Sequence, residues 1–132
     1  MAIGLDTSVV VPLLVGLPEA QALAARHRLE RAAIENEPVF VADLVVAEAY
    51  FALQHHYRVP KGQARALLSR FLNAGVVQLD PGGALPALAI SAGAGLVDRL
   101  IHARYTSLGA VTVTFERQQS RLEGAVRLRS VG

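Results

Sequence analysis

Four acidic side chains, Asp6, Glu48, Asp98 and Glu116, stand where a hydrolytic centre could use them. Asp6 ends a short apolar run, Ala2–Leu5, that reads as a strand, and Glu116 follows a second such run, Ala110–Phe115. Ligands of an open parallel sheet bind beyond the carboxyl ends of its strands, so both positions are open to chemistry. Glu48 is the only acid between Leu44 and Pro60. Its surroundings, VVAEAYFAL, are so apolar that the helix is expected to be buried nearly all round, with Leu44, Phe51 and Ala52 on the face of Glu48. A lone carboxylate there needs an arginine or a metal ion as partner, because unpaired buried charge is costly. Asp98 opens a helix after the break at Gly93 and Gly95; an Asp in a first turn also simply complements the helix dipole. Together the four supply hard oxygen donors, the ligand type that Mg²⁺ and Mn²⁺ take. An ion so held activates water and clamps the oxygens of a phosphoryl group.

The elements that must position these acids follow from punctuation and periodicity. After the strand 2–5 comes a short helix to about Leu14, capped by Thr7 or Ser8, and a helix from Pro18 to about Glu35 with the stripe Ala22, Ala25, Leu29 and Ala33. Pro38–Val41 is a second strand, and Asp43 caps a helix to about Tyr57. Pro60 starts a helix to about Leu72, Val76–Leu79 is a third strand, and Pro81-Gly82-Gly83 is a turn. Helices over about 85–91 and 97–108 precede the fourth strand, Gly109 stopping the second of them, and a fifth strand is expected at Val126–Leu128. Short strands alternate with helices throughout, which predicts an α/β fold: a three-layer α/β/α sandwich with a mostly parallel sheet of four to five strands in a single domain over residues 1–132.

Composition narrows the function classes. Hydrophobic residues are 52% and charged residues 18% of the 132, too apolar for a disordered chain. The absence of cysteine excludes a disulfide framework, a thiolate zinc site and a cysteine nucleophile. The runs Val9–Leu17 and Ala84–Val97 are interrupted by proline and glycine, and neither reaches the ~18–20 residues of a membrane span. No basic leader precedes Asp6, so a soluble cytoplasmic protein is expected. Residues 1–98 hold seven basic and nine acidic side chains, a balance of −2, whereas residues 99–132 hold six arginines against Glu116 and Glu123, a balance of +4. Arginine forks phosphate and carboxylate, so Arg99, Arg104, Arg117 and Arg121 are candidates for steering an RNA backbone; pairing with surface acids or an acidic partner segment is the other reading.

These residues carry a family likeness. IGLDTSVVVPLL resembles the first motif of the PIN domain, VVAEAYFAL the second with Glu48 as its acid, GLVDRLIHARY the third with Asp98, and AVTVTFERQ the fourth with Glu116; LEGAVRL resembles the closing strand. Within that family the chain is similar to VapC-type toxins of toxin–antitoxin pairs. The likeness runs along essentially the whole chain, in order. It implies an endoribonuclease dependent on Mg²⁺ or Mn²⁺, one or two ions per site, and an antitoxin that blocks the site. Asp6 and Asp98 would be primary ligands, Glu48 and Glu116 direct or water-bridged ones, and a metal-bound water would attack phosphorus to leave 5′-phosphate and 3′-hydroxyl ends. Thr114, Thr7 and Ser8 would orient carboxylates or water. Glu116 departs from the usual Asp, and its extra methylene displaces the carboxylate.

His102, one turn after Asp98, reads as a helix-surface histidine rather than a substrate contact. Tyr50, Phe51, Leu53, Tyr57, Leu67, Leu68 and Phe71 exceed what one sheet face absorbs, which predicts a homodimer or an antitoxin groove on that side. Two alternatives stay open: a catalytically weak PIN-like binding module, and a Mg²⁺-dependent phosphoacceptor domain, which the missing second Asp after DTS and the position of Lys61 disfavour.

Overall fold

The computed structural model describes residues 1–80 and 84–129. Its order is β1 (Ile3–Gly4), α1 (Thr7–Val15), α2 (Glu19–Ile34), β2 (Val39–Ala42), α3 (Asp43–His55), α4 (Lys61–Asn73), β3 (Gln78–Asp80), α5 (Ala84–Ala89), α6 (Leu96–Ser107), β4 (Val113–Thr114) and β5 (Val126–Arg127), with a 3₁₀ turn at Gln119–Arg121. The turn expected at Pro81-Gly82-Gly83 lies outside the described residues.

The architecture is an α/β/α arrangement about a parallel sheet. β1, β2 and β3 are neighbours in that order, with Gly4 opposite Phe40 and Val41 opposite Leu79. Because all three run the same way, their carboxyl ends share one edge, where α1 starts after Asp6 and α3 directly after Ala42. β4 and β5 form a second parallel ladder, Val113 opposite Val126. The strand expected over Ala110–Phe115 is two residues long, and its polar side faces inward: Thr112 and Thr114 are buried against partners described below, and Val111, Val113 and Phe115 are exposed. Val10, Val41, Val46, Leu53, Leu68 and Leu96 are the largest fully buried side chains, so the core joins α1, β2, α3, α4 and α6. Among the described residues no single helix is long and apolar enough to cross a membrane.

Three sequence expectations change here. α1 is capped by Asp6 rather than by Thr7 or Ser8, since the Asp6 carboxylate accepts from the Ser8 amide. The cap of α3 is Ala42, and Asp43 is its first residue and is buried. The buried face of α2 keeps Ala22 and Ala25 and continues to Ala32, not Ala33, since Ala32 lies seven residues, about two turns, from Ala25 on the same face. The apolar surplus on α3 and α4 is largely core: Tyr50, Leu53 and Leu68 are buried and Leu67 and Phe71 half-buried, which leaves Phe51 and Tyr57 outside.

Candidate functional site

The edge where β1 and β2 end holds the first two acids. Asp6 Oδ2 accepts from the Ser8 hydroxyl at 2.7 Å and the Ser8 amide at 3.3 Å. These donors favour the ionised form, and the Ser8 hydroxyl most of all holds the Asp6 carboxyl below its ordinary value. Thr7 Oγ1 donates to Glu48 Oε1 at 3.3 Å, a link across 41 positions that fastens the start of α1 to the middle of α3. Glu48 is exposed, contrary to the buried position expected for it. The reason is geometric: α3 turns Val45, Val46, Ala49, Tyr50 and Leu53 inward, and Leu44, Glu48, Phe51 and His55 form the solvent stripe at helical spacing. No buried charge requires compensation there.

Asp98 lies in the first turn of α6, whose cap is Gly95. The loop before it is held by two arginines. Arg99 donates through Nε to Ala94 O at 3.0 Å and through Nη2 to Ala92 O at 2.8 Å. Arg65 Nη1 reaches the carbonyls of Ala87, Leu88 and Ile90 at 3.2, 3.3 and 2.8 Å. Those carbonyls lie at and just beyond the end of α5, where the helix leaves acceptors over; Ala87 O also accepts from the Ile90 amide at 3.4 Å. Arg99, expected to steer RNA, is therefore committed to shaping the approach to Asp98. Arg104 lines a separate groove with Asp43, Leu44 and Tyr105, and Arg117 and Arg121 are exposed in the loop after β4.

The fourth acid is tied to the third through the backbone. The Glu116 amide donates to Thr114 Oγ1 at 2.9 Å, Thr114 Oγ1 donates to Gln119 Oε1 at 3.0 Å, and Gln119 Nε2 donates to the Asp98 carbonyl at 3.3 Å. Thr114 thus holds the Glu116 main chain, not a carboxylate. Gln119, buried and central to this chain of bonds, is a residue that the sequence does not distinguish from the surface run RQQS around it. His102 is likewise no free surface histidine: its ring nitrogens meet Thr112 Oγ1 at 2.6 Å and the Glu123 carbonyl at 2.8 Å. The carbonyl can only accept, so in the neutral ring Nε2 carries the proton and Nδ1 accepts from Thr112.

Among the described residues the ion pairs are Arg28–Glu37 and Arg31–Glu35, so no guanidinium neutralises Asp6, Glu48, Asp98 or Glu116. The four acids do not converge as expected, however. Among the described residues no three Asp, Glu or His side chains stand close enough to hold one ion. Asp6 is drawn back by Ser8 and Glu48 is held by Thr7, and Glu116 is exposed on its loop. As placed, these residues do not fit a centre of one or two divalent ions.

A parallel sheet with Asp6 at its carboxyl edge and helices on either side defines the class as an α/β/α sandwich domain. The PIN domain model matches residues 3–125, and the chain belongs to that family, whose membership supports a general nuclease or hydrolase role; members of the family generally bind divalent ions, but no such cluster stands among the described residues of this chain. Comparison with curated proteins and with solved structures finds no significant match.

Proposed function

We propose that the chain is a PIN-like RNA-binding module, one domain over residues 1–132, whose cleavage chemistry is weak. The observation that carries this reading is the separate engagement of the acids: Asp6 by Ser8, Glu48 by Thr7, and no three such groups gathered among the described residues. Lys61, Arg117 and Arg121, all exposed, supply the cations for the RNA phosphates, and Asp6, Glu48, Asp98 and Glu116, anionic themselves, do not contact them directly. A family of nuclease type supports RNA as the partner.

A second reading is supported by a different observation. The Thr7–Glu48 bond joins the first motif to the second, and the Thr114–Gln119–Asp98 links join the fourth to the third. On that reading the chain is a cytoplasmic endoribonuclease dependent on Mg²⁺ or Mn²⁺, the VapC-type toxin of a pair, with an antitoxin chain and a second copy of itself as partners. It requires the start of α6 and the Glu116 loop to move until the acids meet.

One experiment separates the two. Wild type and Asp98→Asn are titrated with labelled single-stranded RNA, and cleavage is followed with Mn²⁺ present. With three cations engaged, log Kobs is expected to fall against log salt with a slope of about −2. Tight, salt-dependent binding with slow cleavage that the variant shares supports the module. Rapid wild-type cleavage abolished in Asp98→Asn overturns it in favour of the enzyme. Binding that ignores salt removes RNA as the partner.

A further inference from the structure

Beside the acids lies a cleft of about 560 Å³ between α3, the start of α4 and the loop that leads into α6. Asp98, Phe51, His55, Lys61 and Arg65 line it with Tyr50. Its volume is that of an ordinary small-ligand pocket. We propose that this cleft is a stacking subsite for an unpaired base of single-stranded RNA, with the Phe51 ring as its platform and Lys61 facing the adjoining phosphate. The inference rests on RNA as the partner and deepens that reading by naming where a base goes.

The rings are already arranged for the task. Phe51 and His55 lie one turn apart on α3 with centroids at 5.9 Å and planes 15° from parallel. Phe51 is 47% exposed on the solvent stripe of α3. Behind it Tyr50 is buried, its ring 6.0 Å from Phe51 and tilted by 55°. The Arg65 guanidinium lies 5.5 Å from the Tyr50 centroid and is fixed by three carbonyls, so the stack is braced from its buried side. A base therefore meets a preorganised surface and orders little protein on arrival.

Position completes the argument. Phe51 and His55 occupy the same helix stripe as Glu48, three and seven residues further on. At a rise of 1.5 Å per residue they lie about 4.5 and 10.5 Å along the axis from Glu48, whose carboxylate repels phosphate and leaves the backbone beside the rings to Lys61. Every base has a π-face, so the subsite selects strandedness rather than sequence. A duplex keeps its bases stacked on one another and cannot offer one.

The test uses the whole chain and one short labelled RNA, single-stranded or annealed to its complement. Phe51→Ala and Phe51→Leu are each expected to weaken single-strand binding by roughly tenfold, the low end of base–aromatic stacking. Phe51→Trp restores it, and duplex binding stays weak in all. The Leu variant keeps apolar volume and separates loss of a π-face from loss of packing, and thermal melting checks that each variant folds. Wild-type affinity in both Phe51→Ala and Phe51→Leu, with wild-type binding still salt-dependent, overturns the platform and leaves RNA as the partner. Equal affinity for the two RNA forms overturns it as well. Failure of the wild type to bind either form overturns the platform together with the reading beneath it.

Discussion

Replacing Arg65 by Met should cost about 2 kcal/mol of folding stability. One nitrogen, Nη1, serves the carbonyls of Ala87, Leu88 and Ile90. It has two hydrogens, so three acceptors amount to at most two full hydrogen bonds, one of them shared. A hydrogen bond to a charged donor contributes about 1.5–3 kcal/mol when well formed and dry. Arg65 is half-exposed, and distances of 3.2 and 3.3 Å are long, so the polar part is set near the bottom of that range. Loss of the cation above the Tyr50 ring adds about 0.5 kcal/mol. Met keeps the apolar stem over Tyr50, so the loss does not include a cavity. For a chain of 132 residues about 2 kcal/mol lowers Tm by roughly 7 °C. Arg65→Lys, a point charge without a fork, should lose about half as much. Urea unfolding measures the change in midpoint at constant slope. A loss for Arg65→Met below about 0.5 kcal/mol, the range of an ordinary surface substitution, would refute the clamp. Amide exchange localises the effect, and faster exchange is expected over residues 88–95 on the way to Asp98.

Ser8→Ala removes the hydroxyl that chiefly depresses the Asp6 carboxyl, so a carbon-detected titration of Asp6 should move up toward its ordinary value of 3.8. Because the folded-state value is depressed, the wild type holds this contribution above the unfolded value and loses it as pH falls through the folded one; Ser8→Ala should show a shallower stability loss below about pH 4, and coincident profiles would refute the bond. Gly93→Ala places a side chain at φ +77 with its Cβ 3.4 Å from Arg99 Nη2, and should cost about 1 kcal/mol by chemical unfolding. His102→Leu leaves Thr112, 2% exposed, without its ring partner, and should cost about 1–3 kcal/mol, with faster amide exchange over residues 112–126; unchanged melting would remove the bridge.

What could be read from the chain was what depends on neighbours in sequence. Asp6 at the end of an apolar run, the helix after Ala42 and Gly95 before α6 are local punctuation, and each stands at or beside its expected place. Where polarity and periodicity disagree, the reading slipped. α3 is apolar on nearly every side, so its exposed stripe is marked only by Glu48 and His55, seven residues apart, and Leu44 and Phe51 disguise it. The run Ala110–Phe115 is misleading for the opposite reason: Thr112 and Thr114 are inside, bonded to His102 and Gln119, and Val111, Val113 and Phe115 are outside. Arg65, Arg99, Gln119 and His102 act on partners up to 25 positions away, and no periodicity encodes a hydrogen bond of that kind.

The same division separates fold from chemistry. Family motifs specify where a Cα stands: at a strand end, in a helix middle, in a first turn. Catalysis depends on where a carboxylate oxygen stands, and productive geometry tolerates errors of only about 0.5 Å. Between the two lies one side chain's worth of freedom, and here local donors have taken it up. A Ser hydroxyl two residues on captures Asp6, a Thr hydroxyl across the edge captures Glu48, and the longer reach of Glu116 projects into solvent from a loop whose main chain is fastened at Thr114. The two hydroxyl bonds are made in exposed positions, where water competes for the same donors and acceptors, so they hold the carboxylates only weakly. The scaffold behind them is held more firmly, by Arg65 and Arg99 on one side of Asp98 and by Gln119 on the other. Substitutions in the scaffold should therefore lower stability, whereas those at Ser8 and Thr7 should release the Asp6 and Glu48 carboxylates with little effect on the fold.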